Sequence, residues 1–264
     1  MSKLRFFVLI WVLAIGLSAC ATSTLQRVAG RGDLIVGTTG NMPPLNMTTK
    51  DGQIIGYEID LARLIAGALG VKLKLAPMPF SELLPALEAG EVDMVISGMT
   101  ITPERNMRFA FVGPYFISGK SVLTKKAVIQ SAADAGRLNR PDTSLAVLEN
   151  STSERFVMDF LPRATRVAVK SYDDGVAMVL DDEVEALVAD YPICIVSVFR
   201  YPDRGLTSLV TPVTYEPLGI AIPAGDPLMV NWLENFLRTF EGGGGIEALK
   251  NRWFKDPSWL SRLP

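Results

Sequence analysis

Three short stretches hold most of the chemistry this chain can offer: SGMTITPER (97–105), LENSTSE (148–154) and EALVADYP (185–192). Each leaves an apolar run, and together they supply a guanidinium, a carboxylate, hydroxyls and amides. Thr102 can cap the turn after the first run and Pro103 suits its first position, so Arg105 falls in a first helical turn. A cation there opposes the helix dipole. The placement makes sense if the partner is an anion from outside, gripped through two parallel bonds. Thr100 can add a hydroxyl, and Gly98 lets the anion approach the backbone. The competing arrangement is a surface pair of Arg105 with Glu104. Asp190 ends its run as the complementary charge, or as a plain N-cap before Pro192. Asn150, Ser151 and Thr152 present hydroxyls and N–H groups at a helix start, which is an anion site or simply a cap.

Composition narrows the chemistry further. The chain of 264 residues has no histidine and two cysteines. That removes Ser-His and Cys-His catalysis, imidazole acid–base work and histidine or thiolate metal sites. No metal or other cofactor is expected. Formal charge is −2, with no sign of a nucleic-acid partner.

The first residues differ from the rest. Lys3 and Arg5 precede FFVLIWVLAIGL, and LSAC follows, a secretory leader over residues 1–19. LSAC resembles the lipobox of bacterial lipoproteins, which implies lipid attachment at Cys20 and a membrane anchor without a spanning helix. The expected location is the periplasm or cell envelope, and Ala21 in place of an aspartate favours the outer membrane. Cys194 is then alone in an apolar run and reads as a small buried hydrophobe.

The elements that must position these residues alternate in type. Runs at 34–39, 72–77 and 92–97 read as strands, with helices over 56–69 and 80–89 between them. The pattern restarts with strands at 144–150, 165–170 and 185–190. Two α/β units follow, each a mainly parallel sheet flanked by helices, with ligands expected at the strands' carboxyl ends. The C-terminal helices have no strands of their own and should return to the first unit. The expected layout is a tether over 20–32, lobe 1 over 33–122 plus 216–264, and lobe 2 over 123–215, joined by a two-segment hinge.

GYEIDLARLIAGAL (56–69) and DMVISGMTITPER (93–105), followed in order by LAVLENSTSE, VADYP, PLGIAIPAG and NRWF, carry a resemblance. Residues from about 33 to 256 resemble the polar-amino-acid family of bacterial solute-binding proteins that serve ABC importers. The resemblance implies a type II periplasmic-binding-protein fold, hinge closure, an amino acid or related small molecule as ligand, and a permease as partner. Carried over, Arg105 clamps the ligand carboxylate with Thr100, Ser151 and Thr152. Asp190 and the Gly98 carbonyl take the ammonium, and Phe80 forms an apolar wall. Two positions depart from the pattern: Met42 replaces an aromatic residue, and Asn150 replaces a glycine. An acid common near Thr39 is also missing, which points away from cationic side chains and toward small apolar or moderately polar ones. The rival implications are a cyclohexadienyl or arogenate dehydratase-like enzyme on the same fold, using Glu149 or Asp190 as acid, and a ligand-sensing module.

Overall fold

The computed structural model describes residues 23–127, 129 and 131–264. The expected leader and Cys20 lie outside them. The first element is not a polar tether but a helix, α1 (Thr24–Arg31), started by a capping box of Ser23 and Gln26. It docks because Val28 is buried and the Thr24 N–H donates to Asp226 at 2.6 Å.

In chain order, lobe 1 then holds β1 (Asp33–Thr38), a small antiparallel sheet of β2 (Asn41–Met42), β3 (Asn46–Thr48) and β4 (Ile54–Ile55), and α2 (Tyr57–Ala68). After these come β5 (Lys72–Pro77), α3 (Phe80–Glu88), β6 (Met94–Val95), α4 (Pro103–Asn106) and β7 (Phe109–Ser118). Lobe 2 holds β8 (Lys120–Thr124), α5 (Ala132–Ala135), β9 (Ser144–Leu148), α6 (Thr152–Phe160), β10 (Thr165–Val169), α7 (Tyr172–Leu180), β11 (Ala186–Asp190), α8 (Tyr191–Arg200) and β12 (Thr207–Ser208). The chain returns through β13 (Glu216–Pro223) and ends in α9 (Pro227–Gly242), α10 (Gly245–Lys250) and short terminal turns.

The first large sheet runs β5-β1-β6-β13-β7 and the second β10-β9-β11-β8-β12. The strands β1, β5 and β6 are parallel, as are β9, β10 and β11, while the strands next to the crossings are antiparallel. The long β7–β13 pair has no local sequence signal, since its partners lie about a hundred residues apart. Ser118 ends β7 in one sheet and Lys120 starts β8 in the other, so the first crossing is at Gly119. That is earlier than the expected boundary after 122. Only glycine fits there: a Cβ would come within 2.2 Å of the Thr214 carbonyl oxygen on the return crossing. The two hinge segments therefore touch backbone to backbone.

The terminal helices cover lobe 1. Asp226 caps α9 by accepting the Met229 N–H at 3.0 Å, and the Trp253 indole donates to Asp60 at 2.9 Å. Trp253 is buried, so this indole–carboxylate bond is both shielded and satisfied.

Candidate ligand-binding cleft

The loop after β6 carries the lobe 1 half of the cleft. Thr102 accepts the Arg105 N–H at 3.2 Å and Pro103 opens α4, so the guanidinium leaves a capped first turn. Arg105 donates to the Thr100 carbonyl at 2.9 Å, and its carbon lies 5.6 Å from the Phe80 ring centroid. Burial pulls the guanidinium's pKa down, while Glu216 and Asp190 pull it back up. Among the described residues no carboxylate lies within ion-pair distance of Arg105, and Glu104 acts on it only through space, behind Glu216 and Asp190. The surface-pair arrangement is thus not the one adopted.

Gly98 has a φ of +57°, and a Cβ on it would stand 2.9 Å from the Met42 sulfur. Met42 is fully buried and packs under the same loop. Thr100 is buried and its hydroxyl faces the Thr152 hydroxyl of the opposite lobe at 3.3 Å.

The lobe 2 half starts where β9 gives way to α6. Asn150 takes a φ of +57°, a conformation that asparagine tolerates and glycine adopts freely. Its carbonyl accepts from Arg105 at 3.3 Å across the cleft, and its N–H donates to Glu154 at 2.7 Å. Ser151 caps α6: its hydroxyl donates to the Leu148 carbonyl and accepts from the N–H groups of Ser153 and Glu154. That hydroxyl is occupied within its own lobe, leaving Thr152 as the hydroxyl turned toward Thr100. A third contact joins the lobes where Ser81 donates to Glu149 at 2.7 Å. The cleft is closed.

Asp190 sits before α8 but makes no side-chain cap. It accepts instead from the Lys120 ammonium, and both side chains are almost wholly buried, 3% and 2% exposed. Lys120 also lies 3.7 Å from Glu216. Burial pushes the Asp190 carboxyl up, and Lys120 draws it back down. Arg105, Lys120, Asp190 and Glu216 therefore form one balanced set of two positive and two negative charges. Sequence reasoning missed Lys120 and Glu216. Their signal was only positional: each stands at a crossing between sheets.

Behind the Gly98 loop lies a second unexpected group, Glu58. Its carboxyl accepts from the Gly98 N–H at 2.7 Å, from Asn46 at 2.6 Å and from the Tyr115 hydroxyl. Burial pushes this carboxyl up against those three donors. Glu58 thus ties α2 to the loop that presents Thr100 and Arg105. The expected small hydrophobe Cys194 is buried in α8, and burial pushes its thiol to about 12.

The sequence over residues 34–256 matches the family described as bacterial extracellular solute-binding proteins, family 3. The L-cystine-binding protein TcyJ of Escherichia coli strain K12 is 27% identical over 235 residues, 87% of this chain and 85% of its own. A putative binding component of an ABC transporter from Wolinella succinogenes, solved in complex with lysine, is 37% identical with a TM-score of 0.81, covering 88% of this chain and 99% of that one. The ancestral amino acid-binding protein AncCDT-1, described as a precursor of cyclohexadienyl dehydratase, is 36% identical with a TM-score of 0.79, covering 88% and 100%. With a family match over most of its length, the chain belongs to the bacterial extracellular solute-binding proteins of family 3.

Proposed function

We propose that this protein captures an amino acid outside the cytoplasm by hinge closure and hands it to an ABC importer. One observation carries the reading. Arg105 from one lobe and Asp190 from the other share a buried cleft, close enough that each shifts the other's ionisation. An α-amino acid presents the matching pair of charges. Its carboxylate would bind Arg105 with the Thr100 and Thr152 hydroxyls. Its ammonium would bind Asp190 and the Gly98 carbonyl, and its side chain would lie against Phe80 and Met42. The ligand bridges the lobes and so stabilises the closed form over the open one.

The balanced set of four charges favours a ligand with no net charge. A cationic side chain would leave one buried positive charge unmatched unless Glu149 gave up its Ser81 contact. This reading prefers uncharged side chains even though one related structure holds lysine. Anchoring through lipid at Cys20 would hold the protein at the cell envelope, and among the described residues no helix is long and apolar enough to cross a membrane.

The likeness to a dehydratase precursor motivates an enzymatic alternative. Binding is the better reading, because Asp190 is bound to Lys120 and Glu149 to Ser81, which leaves neither as a ready proton donor. Thermal shifts against all proteinogenic amino acids, with prephenate and arogenate alongside, test both. A ligand at a hundred times its Kd adds about 2.7 kcal/mol of stability. A shift with one amino-acid class supports capture. Turnover of prephenate or arogenate, with silence from every amino acid, would overturn it.

A further inference from the structure

Behind the hinge, on the side away from Arg105, lies a cavity of about 780 Å³. Lys120 and Asp190 meet in the cleft, and their chain neighbours Gly119 and Tyr191 line the cavity. One wall belongs to lobe 1, where the Phe116 and Phe254 rings stack with centroids 4.7 Å apart and planes 13° apart. The facing wall is α8 of lobe 2, with Ile195 and Phe199, and Tyr215 of the return crossing stands at the rim. Phe199 is 67% exposed and Tyr215 71%. Exposed aromatics gathered around a concave apolar space mark a binding site, and the volume suits a small molecule.

The walls also specify what kind of molecule. At the edge, Lys255 pairs with Glu247 at 3.4 Å, and the Asp256 carboxylate accepts the Ser258 N–H at 2.9 Å. The Tyr191 hydroxyl donates to the Val210 carbonyl at 3.2 Å. A flat ring can continue the stack begun by Phe116 and Phe254.

We propose that this cavity is a second ligand site, for a planar aromatic molecule, and that its occupancy favours closure of the cleft. The chain passes between the lobes at two adjacent crossings, at Gly119 and at residues 209–216, and these run between cleft and cavity. A rotation about them that opens the cleft must bring α8 and Phe254 together. The cavity is therefore widest when the cleft is shut, and a molecule filling it binds the closed form better. By linkage, the cleft ligand and the cavity ligand raise each other's affinity. From the proposed function the inference takes only that the lobes open and close.

The test titrates N-phenyl-1-naphthylamine, an uncharged aromatic fluorophore, into the protein without its expected leader, residues 23–264, which contain every contact described above. Saturable one-site binding with enhanced, blue-shifted emission is expected. Ile195→Trp, which fills the cavity, and Phe199→Asp, which charges an exposed rim position, should each weaken it by roughly tenfold or more. The radius of gyration from solution scattering should fall as the fluorophore saturates. Binding that does not saturate, or that survives Phe199→Asp, overturns the site. An unchanged or larger radius overturns the coupling to closure. Fluorophore binding without any amino-acid response would sink the proposed function and keep the cavity, and the reverse result would do the opposite.

Discussion

Replacing Arg105 with alanine is the perturbation whose size the structure fixes best. The guanidinium is held by the Thr100 and Asn150 carbonyls and by the Phe80 face, and among the described residues no carboxylate is bound to it. A ligand carboxylate at about 4 Å, in surroundings of effective dielectric near 20, gains about 4 kcal/mol from that charge. Truncation also strands the ligand's own carboxylate in a closed cleft, so a loss of about 3–5 kcal/mol is expected. That is roughly a hundredfold to several thousandfold in Kd. The unliganded protein loses two neutral-acceptor hydrogen bonds and the Phe80 contact, and its stability should fall by about 1–3 kcal/mol. Calorimetric titration with the amino acid found by thermal shift measures the first quantity, and urea unfolding without ligand measures the second. Arg105→Lys keeps the charge but loses the fork, and should recover part of the affinity. If Arg105→Ala binds within about tenfold of the native protein, the ligand carboxylate lies elsewhere and the proposed orientation is wrong.

Other substitutions probe the supports around that site. Gly98→Ala forces a methyl toward the buried Met42 sulfur at a φ of +57°, and should cost about 1–3 kcal/mol in urea unfolding. Lys120→Met leaves Asp190 and Glu216 facing each other without their cation, a loss of about 3–5 kcal/mol at neutral pH. Part of that loss should return in acid, as one carboxylate takes a proton, and a deficit that does not shrink there would exclude the two acids as its cause. Burial raises the Glu58 carboxyl above its ordinary value of 4.5, so the folded state holds that proton more tightly. Its contribution is full below the unfolded value and fades as pH rises through the folded one. Glu58→Gln should therefore remove part of the fall in stability toward neutral pH, read as urea midpoints across an acid-to-neutral series. The Cys194 thiol, buried and pushed to about 12, should resist a thiol reagent at mildly alkaline pH until denaturant is added. Rapid labelling of the native protein would mean that α8 opens readily.

The sequence alone carried everything that depends on near neighbours. The 3.6-residue spacing in 56–69 located α2, and Thr102 with Pro103, and Ser151, marked helix starts that the structure contains. The family motifs carried the fold class, because they record which local segments occur together. The start of α1 was also legible, since Ser23 and Gln26 have capping-box spacing, but the polar composition around them concealed it. What only the tertiary structure decided is long-range partnership. Asp190 reads equally well as a cap or as a ligand group until Lys120, seventy residues earlier, is seen to take its carboxylate. Glu58 looks like one more polar residue in a helix signature until Gly98, Asn46 and Tyr115 converge on it. The cavity behind the hinge is assembled from both lobes and both crossings, and no single stretch of chain describes it. Spacing along a helix or strand is set by covalent geometry, so it is written locally. Which buried charge meets which is set by how the sheets pack, and that follows from the whole chain at once.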